Sequence, residues 1–200
     1  MQSKTSAPDA GRQRCRWASN TANPRYQAYH DEEWGVPCHD EMRLFEMLNL
    51  EGAQAGLSWE TILNKRDSYR VAFDQWDARK IARYSEKRFA RLMDNAGIVR
   101  NRLKIAATIG NAKAYLKLCD EVGGLDPFLW GYVGGQPIRN APRAADRLPA
   151  STPLSDTVSK DLKARGFKFV GSTIVYAYLQ AVGIVNDHCV ECFRFAELTK

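Results

Sequence analysis

The sequence predicts an all-helical chain. Apolar residues recur at helical spacing through long segments, good N-cap side chains stand ahead of them, and sustained strand-type alternation is absent. From Asp40 the residues Met42, Leu44, Phe45, Met47, Leu48 and Leu50 form a broad apolar face, closed by Gly52 and Gly56. Ser58 caps a second helix through Phe73, with Trp59, Ile62, Leu63 and Tyr69 on its inner side. Ser85 caps a short helix reaching Asn95, and Gly97 serves as its stop. A long helix runs from about Asn101 to Val122 on Leu103, Ile105, Ala106, Ile109, Ala112, Leu116 and Leu118. Gly110 weakens it, and the alanines around it compensate. Asp126-Pro127 is a cap and first-turn pair for a helix through Tyr132, and Gly134 to Pro153 reads as a long surface loop. Ser155 opens a helix to Arg165, the turn Gly166–Gly171 follows, and a helix resumes through Gly183.

At 200 residues the chain can bury a core as one domain or two closely packed lobes. The polar start, with Pro8 and Gly11, is expected to be a disordered leader over residues 1–13. A single helical domain of two packed lobes is expected over 14–195, with a tail over 196–200. There is no internal repeat. The charge is +6, from 29 basic and 23 acidic residues, which points to a polyanion before an acidic small molecule. Basic residues cluster as Lys160, Lys163, Arg165 and Lys168; as Arg139, Arg143 and Arg147; and between Arg79 and Arg91, where a solvated helix face explains them. No apolar stretch is long enough to span a bilayer, so a soluble, intracellular protein is expected, with no membrane partner.

The chain has five cysteines and three histidines. Cys15 and His30 stand near one end; His188, Cys189 and Cys192 stand near the other. An odd cysteine count and no apolar signal segment argue against a disulfide framework. Two thiolates and two imidazoles suit a closed tetrahedral zinc site, structural rather than catalytic, which would clamp the two ends together. On residue types alone the four ligands stay open, because Cys189-x-x-Cys192 and Cys38-His39 are rival pairs. Cys119, in an apolar run, reads as a buried small hydrophobe, and Cys38 fits the same role.

Two further groupings carry chemistry. The glycines of Gly166–Gly171 can free backbone N–H groups at a helix start, and with Lys168 and its basic neighbours they form a phosphate anchor of helix-hairpin-helix type. Two helices joined by a glycine turn also arise from packing alone. Tyr26, Tyr29, Trp34, Glu51 and Trp59 form an aromatic group around one carboxylate. Such aromatics are commonly core, and Glu51 is either a solvated helix end or an inward-facing acid. Gly52 and Gly56 beside it permit close backbone approach.

The segments Tyr29-His30-Asp31-Glu32-Glu33-Trp34-Gly35-Val36-Pro37, Leu50 to Trp59, Arg165 to Gly171 and Val185-Asn186-Asp187-His188 strongly resemble the type I 3-methyladenine DNA glycosylases of bacteria. The likeness runs from about Arg14 to Phe193. It implies a helix-hairpin-helix fold with one structural zinc held by Cys15, His30, His188 and Cys192, leaving Cys189 out. It implies a base pocket at Tyr29, Glu51 and Trp59, with Trp34 and Tyr26 nearby, and DNA-backbone contacts at Gly166, Lys168 and Gly171. The interval between Cys15 and His30 looks slightly longer than in that family. Phe169 stands where other helix-hairpin-helix proteins carry glycine, a peculiarity this family shares.

The activity so implied is excision of 3-methyladenine from double-stranded DNA by a cytoplasmic bacterial monomer, in base excision repair. Methylation at N3 makes the base cationic and already a good leaving group. The enzyme must flip the nucleotide, hold the cation and admit water. Trp59 would stack on the base, Glu51 would accept hydrogen bonds from the adenine edge, and Tyr29 would add a polar contact. The stretch Val175 to Val185 carries no acid and no lysine, so a Schiff-base lyase step is not supported. The rival readings are a zinc-stapled DNA-binding module that senses alkylated bases without catalysis, and a zinc-stapled interaction protein.

Overall fold

A central helix, packed against four others, organises the molecule. The computed structural model describes residues 11–199. Most of the expected leader therefore lies outside the described residues, as does Lys200 of the tail. Two short helices come first, α1 (Arg16–Ser19) and α2 (Pro24–Glu32). The side chain of Asn23 accepts from Arg25 N and Pro24 takes the first turn, the position where a missing N–H costs nothing.

The central helix, α3 (Glu41–Gln54), starts as expected with Asp40 accepting from Arg43 N. Its residues 44–53 are all buried, including Glu46, Asn49 and Glu51. Burial of Glu46 is made tolerable by Arg66 at 3.0 Å and Arg70 at 2.7 Å, which hold its carboxyl below the usual range against its burial. Gly52 does not end α3. It sits inside the helix, where an added Cβ would stand 3.1 Å from Phe169 Cβ and 3.2 Å from Phe169 O. Its role is close approach, not termination.

The helix α4 (Trp59–Ala72) has Ser58 as its cap and Phe73 at its end. A tight 3-10 turn at Asp74–Trp76 follows, with all three residues at positive φ. Such backbone is strained for non-glycine residues. It is held by Arg88, which donates to Ala72 O at 2.8 Å, and by the stack of Phe73 on Trp76 at 5.4 Å. The next helices are α5 (Ala78–Ile81), α6 (Glu86–Asp94) and α7 (Arg102–Val122). Asn101 caps α7, and Gly123 ends it at φ 96°.

In α8 (Leu125–Gly131) the N-cap is Gly124, not Asp126. Glu41 supplies the missing acceptor, taking bonds from Leu125 N at 3.0 Å and Asp126 N at 2.7 Å. In α9 (Pro153–Ala164) the cap is Thr152, and Ser155 completes a capping box from the third helical position. The chain closes with α10 (Ser172–Ala181) and α11 (Phe193–Glu197). The expectation of an all-helical chain holds except for one short parallel pair. Here β1 (Ile138–Arg139) from the long loop pairs with β2 (Val185–Asn186), in register Ile138 to Val185 and Arg139 to Asn186.

The helix α3 packs against α4, α7, α8 and α10, and α9 and α10 form a tight hairpin. Met42 and Leu103, expected on inner faces, are exposed instead. Cys119 is only half-buried. No helix among the described residues is long and apolar enough to cross a membrane.

Candidate functional site

The two ends of the chain meet in a buried cluster. Cys15, His30, His188 and Cys192 each aim one ligand atom inward, and these atoms lie within 4.8 Å of one another. Cys15 Sγ and Cys192 Sγ each stand 3.5 Å from His188 Nδ1, and Cys192 Sγ stands 3.5 Å from His30 Nε2. A tetrahedron with metal–sulfur bonds of about 2.3 Å and metal–nitrogen bonds of about 2.0 Å has sulfur–nitrogen edges of roughly 3.5 Å. The donor set therefore fits a metal ion.

The outer nitrogens fit it as well. His188 Nε2 faces Trp34 O at 2.9 Å, and His30 Nδ1 faces Asp31 Oδ1 at 2.7 Å. Each acceptor can hold a proton on the outer nitrogen, so the inner nitrogen keeps its lone pair; in His30 that nitrogen accepts from Cys15 N–H at 3.3 Å, and in both rings it points into the cluster. Asp31 is itself fixed by Arg14 at 2.7 Å. Within the cluster the Cys192 thiol is pulled down by its bond to Cys15 and by both imidazoles, while the Cys15 thiol is pushed up. Cys189 is buried nearby and is not one of the four. The rival pair Cys38-His39 lies elsewhere: His39 is stacked on Trp130 at 4.6 Å and bonded to Asp126 at 2.6 Å.

Beside this cluster opens an aromatic cleft of about 230 Å³. All five residues expected to surround a ligand line it: Tyr26 and Tyr29 from α2, Trp34 just after it, Glu51 from α3 and Trp59 from α4. Tyr29 lies 5.3 Å from Trp59, centroid to centroid. Trp34 also packs edge-on against His188 at 4.6 Å, so the cleft and the cluster share a wall.

Glu51 is an inward-facing acid, 4% exposed. Burial alone pushes its carboxyl up from 4.5 to about 8. Burial likewise raises the phenols of Tyr26 and Tyr29, so both stay neutral near pH 7. Trp59 Nε1 is sealed from solvent with no acceptor among the described residues. A buried acid without a counter-charge, beside aromatic rings, has the chemistry to accept a flat cation.

Sequence reasoning missed half of this cleft. Trp17, Gln54, Leu148, Ala177 and Gln180 line it too. Trp17 lies 5.1 Å from Tyr26 and 5.2 Å from Trp34, and its place beside Cys15 was the one available signal. Leu148 and Gln180 reach the cleft only through the folded loop and α10. A larger cleft of about 670 Å³ between α3, α5 and α7 contains none of the expected site residues.

The turn between α9 and α10 is the third element. Gly166 has φ 91°, which glycine alone adopts freely, and Phe169 has φ 55°. Buried Asn111 on α7 holds the turn at both edges of Lys168, accepting from its N–H at 2.8 Å and donating to its C=O at 3.2 Å. Gly171 is the N-cap of α10 with an ordinary φ of −62° and no side-chain cap. A Cβ there would meet nothing within 4 Å. Neither backbone conformation nor internal packing demands this glycine. Lys160, Lys163 and Lys168 are exposed around the turn, whereas Arg165 is engaged by Glu121 and the ring of Phe128.

The family model for methyladenine glycosylases matches residues 17–195. DNA-3-methyladenine glycosylase 1 of Escherichia coli K12 is 51% identical over 180 residues, covering 90% of this chain and 95% of that protein. A crystal structure of 3-methyladenine DNA glycosylase I superposes with a TM-score of 0.87 at 50% identity, covering 90% of this chain and 98% of that one. A structure showing the basis of 3-methyladenine recognition by the Staphylococcus aureus enzyme superposes with a TM-score of 0.86 at 39% identity, covering 90% and 95%. Matched over nearly its whole length in sequence and in backbone, the chain belongs to the methyladenine glycosylase family.

Proposed function

We infer that the protein is a monofunctional DNA glycosylase that removes 3-methyladenine from alkylated double-stranded DNA by hydrolysing its N-glycosidic bond. One observation carries this reading within the family: the aromatic cleft sets buried Glu51 against Trp59 and Tyr29. The cleft suits a flat cationic base, and N3-methylated adenine in DNA is one.

The nucleotide leaves the duplex and its base enters the cleft. The Trp59 face attracts the cation through its quadrupole, with Tyr26 and Trp34 completing the walls. Arrival of positive charge favours the ionised form of Glu51, which accepts hydrogen bonds from the adenine edge. Tyr29, kept neutral by burial, adds a polar contact. Water then bonds to the sugar C1′ as the C1′–N9 bond breaks. The bond's electron pair neutralises the departing base, and the proton of the water passes to solvent. No protein nucleophile and no lysine are needed, so no strand cleavage accompanies excision.

The turn Gly166–Gly171 is read as the hairpin of a helix-hairpin-helix. Uncapped N–H groups at the start of α10 and the Lys168 ammonium hold DNA phosphate there, and the bare Cα of Gly171 lets the backbone come close. Cys15, His30, His188 and Cys192 would hold one zinc ion. With all four ligands from the protein, such an ion would supply no reaction chemistry, and these residues would tie the N-terminal segment to the C-terminal one through it. The test is release of free 3-methyladenine from methylated duplex DNA by the pure protein, without strand nicking. DNA binding without base release would make the protein a sensor instead.

A further inference from the structure

A polar group on the α10 wall of the aromatic cleft takes no part in the chemistry proposed so far. Gln180 and Ala177, one helical turn apart on α10, both line the cleft. The amide nitrogen of Gln180, Nε2, donates to Asp187 Oδ2 at 2.7 Å. Asp187 is 2% exposed and also accepts from Tyr176 Oη at 2.5 Å and Asn140 Nδ2 at 2.7 Å. A carboxylate ringed by three donors offers only acceptor oxygens. The amide of Gln180 therefore cannot turn end for end, because its carbonyl oxygen would then oppose a carboxylate oxygen. Gln180 Oε1 accepts no bond from the described residues and is not sealed from solvent. A carbonyl oxygen is what remains for the cleft.

Purines differ at the group such an oxygen would meet. Adenine carries an exocyclic amino group, a donor, where guanine carries a carbonyl oxygen, an acceptor. A free glutamine serves either by flipping, whereas a locked one serves only the donor. We propose that Gln180 is a specificity residue of the cleft and that Asp187 is the positioning residue that locks it as a one-way acceptor. Adenine methylated at N3 is accepted and guanine methylated at N3 is turned away. Asn140, from the loop after β1, and Tyr176, from α10, hold Asp187 itself in place. The inference rests on the aromatic cleft being where the base is held.

The experiment is single-turnover release of 3-methyladenine and 3-methylguanine from methylated duplex DNA, with the bases separated by chromatography. Asp187→Asn gives the lock both a donor and an acceptor, so Gln180 can turn. The adenine-to-guanine ratio should fall about tenfold, the worth of one polar contact exchanged for a mismatch. Gln180→Met removes the oxygen at nearly constant length, so 3-methyladenine release should slow about tenfold with unchanged affinity for undamaged duplex. A loss of fold alone would not move the ratio between two bases in one reaction. If Asp187→Asn fails to fold, Gln180→Met, on the cleft wall, carries the test alone. An unchanged base ratio and rate in Gln180→Met overturns the inference. If Glu51→Gln and Trp59→Ala also leave 3-methyladenine release unchanged, the assignment of the cleft itself falls.

Discussion

Glu51→Gln separates what the buried acid costs the fold from what it contributes to function. The carboxyl is raised from 4.5 to about 8 by burial. Across that window the folded protein keeps the proton that the unfolded chain has lost. Stability conferred by the neutral acid is therefore full below pH 4.5 and lost as pH rises through 8. The span of about 3.5 units at ~1.36 kcal/mol each sets a ceiling of about 5 kcal/mol, reached above pH 8. At pH 7 the loss is about 3 kcal/mol by the same conversion. Glutamine cannot ionise, so the variant avoids this loss. Urea unfolding of both proteins at pH 5, 7 and 8.5 should show the variant gaining on the wild type by several kcal/mol across the series. Its single-turnover excision of 3-methyladenine should meanwhile drop, because glutamine has no charge to offer a cation. A stability difference that stays constant with pH would refute the buried, unpaired acid. Undiminished excision by the variant would refute its role toward the base.

Trp59→Ala removes a stacking face worth about 1–3 kcal/mol, so single-turnover excision should slow roughly ten- to a hundredfold with zinc content unchanged. Protein purified without added metal should contain close to one zinc per chain by elemental analysis. Cys192→Ser should lose the ion and much stability, since a metal held there would close nearly the whole chain into one loop. Gly171→Val should weaken binding to every DNA sequence alike, and Lys168→Ala should reduce the salt slope of log K by about 1. Unchanged binding in both would return the α9–α10 turn to ordinary packing.

Where one local signal decides an outcome, the sequence was readable. Ser58 and the inward residues Trp59, Ile62, Leu63 and Tyr69 delimit α4 because cap and periodicity agree, and Asn101 does the same for α7. Errors arose where the deciding group is distant. Gly52 looks like a stop but serves Phe169, and the start of α8 is satisfied by Glu41 from another helix. The helix α2 carries too few apolar residues to show a stripe, so its aromatics marked a site before they marked a helix. The four residues of the buried cluster could be singled out only through family likeness, because residue types alone left Cys189 and Cys38 as rivals. Trp17, Leu148 and Gln180 join Glu51 from separate parts of the chain, and no spacing in the sequence announces that meeting.

The most direct measurement incubates the pure protein with DNA methylated by an alkylating agent and identifies the released bases by chromatography, against the uncatalysed loss of the same lesions. Free 3-methyladenine should appear far faster than in the protein-free control, with abasic sites left in unbroken strands and the rate reduced in Glu51→Gln. Release no faster than the control, from a protein that still binds the methylated duplex, would contradict the assignment of a glycosylase.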